Sequence, residues 1–327
     1  MRTRLGSVLL VLATAVGTLA VSALLSLIGS PQTVQTQAAR PDAQVPRLPG
    51  TKTPSITGVW QALNEANWDL EPHGQRTARV LHAGVKGGQP VPDAPVLALG
   101  ATGGIPGSNG VVEGGVIPYK PETLATRNAN AEHALARDPE VKCLLPGGPR
   151  ATYLAYPFQI TQGDQKVMIA YGFSNAGRTI HLDKVEDPGL DSWMGFSVGR
   201  WEGDTLVVTV TNLNEKTWFD RAGNFHSAGM KVVERYTPTS PDHILYEATI
   251  EDPAVFTRPW KIKMPLYRRV DEHARVFEYR CVEMVEELIY GHLRKQQLVK
   301  GWEDDYGRLG GVVGVTVVRK PTREEDQ

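Results

Sequence analysis

Metal-binding patterns are missing from this chain. It holds no H-x-H, no H-E-x-x-H and no Asp-rich calcium loop. Nor does a Gly-rich phosphate loop open a helix, because the glycines at 103–115 lack both the Lys and the strand context. No metal and no cofactor are therefore expected. An excess of one charge is lacking too: the formal net charge is −1 and the pI about 6.7. With no basic run interleaved with aromatics, nucleic acid is excluded as the expected partner. Cysteine is scarce, with Cys143 and Cys281 in no C-x-x-C and no Cys/His pattern.

What is present begins with the N-terminus. Arg2 and Arg4 precede a run from Leu5 to Ile28 that carries no charge. Positive residues before an apolar run form an export signal. The run exceeds the ~7–15 residues of a cleaved leader and matches the ~20 that span a bilayer. Cleavage near Ala38-Ala39 and retention as an anchor over residues 5–28 both remain open. No Cys follows the run, so lipid modification is not expected. The body is then extracytoplasmic, periplasmic or secreted, and the membrane enters only through that anchor. In an oxidising compartment the two cysteines read as one long-range disulfide, with two buried thiols as the alternative.

The composition favours a turn-rich β fold, with 33 Gly and 23 Pro. Residues 1–39 form the leader or anchor and the Pro-rich stretch 40–54 a linker. Residues 55–320 form a single β-rich domain, and 321–327 a polar tail. Within the domain, residues 83–118 are rich in Gly and Pro and read as a covering flap. A helix is expected over 121–137, and an amphipathic one over 284–298 with Val285, Leu288, Ile289 and Leu293 on one side. From Ala151 onward short apolar runs follow one another between turn residues: "ATYLAYPFQIT", "KVMIAYGF", "GRTIHLD", "MGFSVGRW", "TLVVTVT", "MKVVERYT", "HILYEATI", "PWKIKMPLYRRV" and "RVFEYRCVE". "GGVVGVTVVRK" reads as a last strand. This spacing predicts a mainly β fold: an antiparallel up-and-down, calycin-like barrel or strongly curved sheet with flanking helices. Gly58-Val59-Trp60 matches the G-x-W that opens lipocalin barrels, although the same stretch also suits a short helix.

Gly195-Phe196-Ser197-Val198-Gly199 spells the G-x-S-x-G of a serine-hydrolase elbow. An elbow needs a helix straight after the serine. Here Gly203-Asp204 is a hairpin turn, which sets Trp201 opposite Leu206, Gly199 opposite Val208 and Ser197 opposite Val210. Ser197 is then a mid-strand residue on an apolar row.

The loop 238–242 sets Glu234 opposite Tyr246, Arg235 opposite Leu245 and Val233 opposite Glu247. One face then reads Val232, Glu234, Tyr236, Ile244, Tyr246, Ala248, apolar apart from one carboxylate. A buried carboxylate must be paired or neutral, which makes Glu234 an acid/base candidate or half of a structural ion pair. A turn at 271–274 sets Leu266 opposite Tyr279 and Met264 opposite Cys281, and places Arg268 near Phe277. Glu247 is expected diagonal to Arg235, and Glu278 beside Tyr267 and Arg269. The loop "NEKTWFDRAGNFHS" gathers Trp218, Asp220 and His226 at a barrel rim, where Asp220 and His226 could act as a general acid/base pair. His181 reads as a strand histidine.

With "GRWEGDTLVV", "TWFDRAGNFHS", "VVERYT", "TIEDPAVFTRPW" and "FEYRCVE" in order, residues 55–300 resemble a widespread family of exported bacterial proteins. The resemblance implies that Cys143, Glu234, Arg235, Glu247, Asp252, Trp260, Glu278 and Cys281 lie in family motifs, and it implies no activity. The expected function is binding of a small amphipathic or apolar molecule, with Arg268, Tyr246, Trp218 and Tyr279 as binding residues. Glu234, or Asp220 with His226, would transform the ligand by acid/base chemistry if catalysis occurs. The alternatives are a serine hydrolase using Ser197 and an envelope-associated structural protein.

Overall fold

Alternating inward apolar and outward polar residues organise most of the strands. The computed structural model describes residues 44–75 and 105–283. The leader or anchor, the start of the linker, the flap up to residue 104, the helix at 284–298, the last strand and the tail lie outside them.

Nine strands form a closed barrel: β1 (Gly58–Ala62), β2 (Phe158–Gln162), β3 (Lys166–Tyr171), β4 (Gly177–His181), β5 (Phe196–Glu202), β6 (Thr205–Thr211), β7 (Lys231–Ser240), β8 (His243–Glu251) and β9 (Trp260–Arg268). β9 returns to β1, with Trp60 opposite Arg268 and Ala62 opposite Leu266. Closure removes the free sheet edges that would otherwise invite association. The fold is thus mainly β and mostly antiparallel, as the turn spacing indicates. One seam departs from up-and-down order. β4 and β5 run parallel after a crossover at 182–195, and share only the pairs Ile180–Ser197 and His181–Val198.

The strands alternate so that β8, for example, buries Ile244, Tyr246, Ala248 and Ile250 while the residues between them are partly exposed. These join Val232, Tyr236, Ile262, Met264, Leu266, Ile160, Val167, Ile180, Leu206 and Val208 in one contiguous core inside the barrel.

Register follows turn chemistry closely. Gly203, at φ +60°, sits where a tight hairpin demands a left-handed residue. The β5–β6 pairs are those read from the sequence, Ser197 opposite Val210 included. The β7–β8 pairing is displaced by two residues: Glu234 lies opposite Ala248, Arg235 opposite Glu247, and Tyr236 opposite Tyr246. Only Pro241 and Asp242 make the turn, and the extra residue is absorbed as an irregularity between Pro238 and Ser240. A shift of two preserves the face, so Glu234 still points inward.

Two further expectations are corrected, and one left open is decided. "ATYL" is helical rather than extended, since Arg150–Tyr153 form a short buried turn, α3. It follows α1 (Pro121–Glu132) and α2 (Ala134–Arg137), which together occupy the expected helical span 121–137. "RVFEYRCVE" is not a strand, because β1 already occupies the edge of β9 that it would need. Tyr279 and Cys281 therefore do not oppose Leu266 and Met264. Residues 269–283 instead form a strap, with Tyr279 against Tyr156 and Phe173 at ring distances of 4.6 and 5.8 Å. The G-x-W stretch is the strand β1, not a helix. Trp60 is buried, donates to the Ile56 carbonyl at 2.9 Å and carries the Arg268 guanidinium 4.3 Å above its ring. A Cβ on Gly58 would run into that guanidinium.

The disulfide Cys143–Cys281 is formed, closing 138 residues of chain and pinning the strap. The described part of the flap covers the gap left where β1 stops short. Glu113 N donates to Lys261 O at 2.8 Å and Lys263 N to Val111 O at 2.9 Å, with Val112 buried between them.

Candidate functional site

One end of the barrel carries the short hairpins 163–165, 203–204 and 241–242. The other receives α3, the loop 212–230 and the strap's attachment. Inward residues toward the hairpin end are apolar: Ile160, Val167, Ile180, Leu206, Ile244 and Leu266. Nearer α3 the lumen becomes polar.

Glu234, on β7, is fully buried and lies 2.7 Å from Arg178 Nη1 of β4. Tyr246 donates its hydroxyl to Glu234 Oε1 at 2.7 Å, and Tyr236 does so at 3.4 Å. Arg178 Nη2 donates to the Tyr236 hydroxyl at 2.8 Å. Burial, and then the Glu234 charge, push the Tyr236 and Tyr246 phenols well above their ordinary range. Burial alone would lower the Arg178 guanidinium, but the adjacent Glu234 carboxylate and the Tyr171 and Tyr236 phenols outweigh it and raise it. Arg178 Nη1 and Glu234 Oε2 are the facing atoms of this ion pair. Arg178 Nε is buried without a hydrogen-bond partner among the described residues, as is Ser197 Oγ on β5.

Asp220 and His226 lie in the same loop, but their polar atoms are committed elsewhere. Asp220 Oδ2 accepts from Leu70 N at 2.9 Å and Asn224 Nδ2 at 2.6 Å, and Oδ1 accepts from Ala222 N at 3.0 Å. Burial, and then the neighbouring Asp69 charge, push its carboxyl up to about 7. His226 Nε2 lies 2.6 Å from Thr217 Oγ1 and Nδ1 2.8 Å from Ser227 O, an arrangement that suits a neutral ring donating from Nδ1. Burial lowers its pKa. Each side chain fastens the loop; they are not arranged as a dyad. Asp252 holds the adjacent Ser227 through N at 2.6 Å and Oγ at 2.9 Å.

The other expected residues are dispersed. Trp218 is buried in the loop, bridged to Phe225. Arg268 is half-buried at the hairpin end, donating to Pro241 O at 2.7 Å and Thr57 O at 2.9 Å, not beside Phe277. Tyr279 belongs to the strap, and Glu278 pairs with Arg280 at 2.9 Å rather than lying by Tyr267. Glu247 lies directly across from Arg235 and 3.9 Å from both Lys261 and Lys263. His181 is a strand histidine, 3.9 Å from Asp183. Of the expected group, Glu234 and Tyr246 meet.

Two groups escape a reading of the sequence. Arg178 is inward by the same alternation that buries Ile180, a signal available in "GRTIH". The second group anchors α3. Arg150 is buried with Nη1 at 2.9 Å from Asp138 and Nη2 at 2.6 Å from Glu140, while Nε donates to Asn67 Oδ1 at 2.9 Å. Arg221 Nε reaches Glu140 at 2.8 Å. Burial opposes ionisation of Glu140, but Arg221 and Arg150 overcome it and hold its carboxyl at about 2. Asp138 and Glu140 lie 12 and 10 residues before Arg150, but Asn67 and Arg221 come from distant segments, so no local pattern marks the group.

Comparison with known proteins found no family model that matches the chain, no similar curated protein and no similar solved structure. The closed nine-strand barrel is compatible with a calycin-like architecture.

Proposed function

We propose that this is an exported barrel that binds a small amphipathic molecule in its lumen. The observation that carries the reading is the Arg178–Glu234–Tyr236–Tyr246 cluster, enclosed in a mostly apolar interior, with Arg178 Nε and the inward Ser197 Oγ left without hydrogen-bond partners among the described residues. Buried polar groups left unsatisfied each cost roughly 1–3 kcal/mol, so a ligand supplying the missing bonds gains affinity there. Asp220 and His226 are already saturated by structural bonds, which supports binding over acid/base turnover. Ser197 faces Val210 and its Oγ has no histidine partner among the described residues, which weighs against the hydrolase alternative. The disulfide is compatible with an oxidising, extracytoplasmic compartment.

Titration with N-phenyl-1-naphthylamine tests the proposal. The expected result is saturable one-to-one binding that weakens by roughly tenfold or more in Ala248→Leu, a change that fills the lumen. Unsaturable binding, or binding unaffected in a variant with native circular dichroism, would overturn it.

A further inference from the structure

The partnerless polar atoms are not spread evenly. Arg178 Nη1 and Glu234 Oε2 face each other at 2.7 Å; among the described residues the remaining buried side-chain atoms without a hydrogen-bond partner are Arg178 Nε, His181 Nδ1, Asp183 Oδ1, Ser197 Oγ and Trp260 Nε1. Four of these five belong to β4, the start of the crossover, or β5, the two strands joined in parallel by two pairs. Arg178 and Ser197 are both inward: Ser197 pairs with Ile180, and Arg178 is the inward position just before it. Arg178 and Ser197 are at 7 % and 1 % exposure, so water outside the barrel does not serve them.

We infer that the Arg178–Ser197 side of this seam is the head-group site of the lumen, and that it selects a neutral amphipath with a hydrogen-bond-accepting head such as a ketone or ester. The inference rests on the lumen reading above. Arg178 Nε–H and the Ser197 hydroxyl offer donors to a carbonyl. The charge balance excludes ionic heads. Arg178 and Glu234 already neutralise each other at 2.7 Å. A carboxylate would compete with Glu234 for Arg178, and an ammonium would compete with Arg178 for Glu234. Either leaves an uncompensated charge in a closed interior, which is far costlier than a neutral dipole. The body of the ligand then extends toward the hairpin end, where the inward residues Ile160, Val167, Leu206, Ile244 and Leu266 are all apolar and must repack around it.

Displacement of N-phenyl-1-naphthylamine by chains of equal length tests this: 2-dodecanone, dodecanoate, dodecylamine and dodecane. The ketone is expected to displace the dye at a concentration about tenfold or more below the other three. Ser197→Ala, which removes one partnerless oxygen, is expected to keep the fold while reducing the ketone's advantage over dodecane measured in the same variant. Arg178→Met with Glu234→Leu should abolish that advantage; if this pair does not fold, Ser197→Ala decides. Equal displacement by all four, as when a water fills the head-group position, would overturn the neutral-head inference alone. Tightest binding of dodecanoate would do the same. No saturable dye binding would overturn the lumen reading itself.

Discussion

At the scale of single residues, Ser197 and Glu234 share an environment but not a consequence. Both are buried on inward rows, yet one is neutral and the other is charged against Arg178. Ser197→Ala removes a group that has no partner to strand. Glu234→Gln leaves Arg178 buried and unpaired, for a loss of about 3–5 kcal/mol, measurable by urea unfolding. Replacing both members with apolar residues of similar volume should recover only part of that loss, since the buried charges go together but the Tyr236 and Tyr246 hydroxyls lose their partners. A Glu234→Gln protein as stable as the parent would contradict this account. Glu234 was legible in the sequence because alternation put a carboxylate on an apolar row. Its partner was equally legible by the same rule in β4, but a strand of five residues carries a weak pattern. The Asp220/His226 pairing was suggested by proximity along the chain. Proximity gives no information on which backbone amides a loop must satisfy, and those amides claimed both side chains.

At the scale of elements, turns decided what could be read. Gly203-Asp204 fixes β5–β6 because two residues in a left-handed turn admit one register. In β7–β8 the turn is shorter than Pro238 to Asp242 suggests, and the displaced register follows from where the extra residue is stored. The expected strand at 275–283 failed for a reason of topology, since barrel closure consumes the edge. The short α3 turn is set by long-range bonds rather than local propensity, and this gives it a pH signature. Glu140 has a folded pKa of about 2, below the ~4.3 of an unfolded glutamate. A depressed carboxyl pKa contributes stability that is present above about pH 4.5 and is lost as pH falls through the range from there to about 2. The unfolding midpoint should therefore fall across that window. Glu140→Gln should flatten that fall while lowering stability at neutral pH by several kcal/mol, because Arg150 and Arg221 keep only part of their compensation. An unchanged acid slope in that variant, followed by urea midpoints against pH, would contradict this assignment.

At the scale of the whole molecule, the barrel closes through hydrogen bonds and the strap closes through sulfur, so the two constraints should separate. The β1–β9 pairs complete the wall without help from Cys143 or Cys281. The disulfide instead holds residues 269–283 against Tyr156 and Phe173, outside the lumen cluster. Closing a loop of 138 residues restricts the unfolded chain by about 4–5 kcal/mol in the chain-entropy model. Much of that acts on the unfolded state, which leaves the native lumen unaltered. Cys143→Ser with Cys281→Ser should thus lower the urea midpoint by an amount approaching that figure. Far-ultraviolet circular dichroism and dye affinity should remain native under conditions where the variant is folded. The oxidised parent should resist alkylation until reductant is added and then converge on the variant's stability. If the variant loses dye binding while still folded, the strap contributes to the lumen and the separation of the two constraints is wrong.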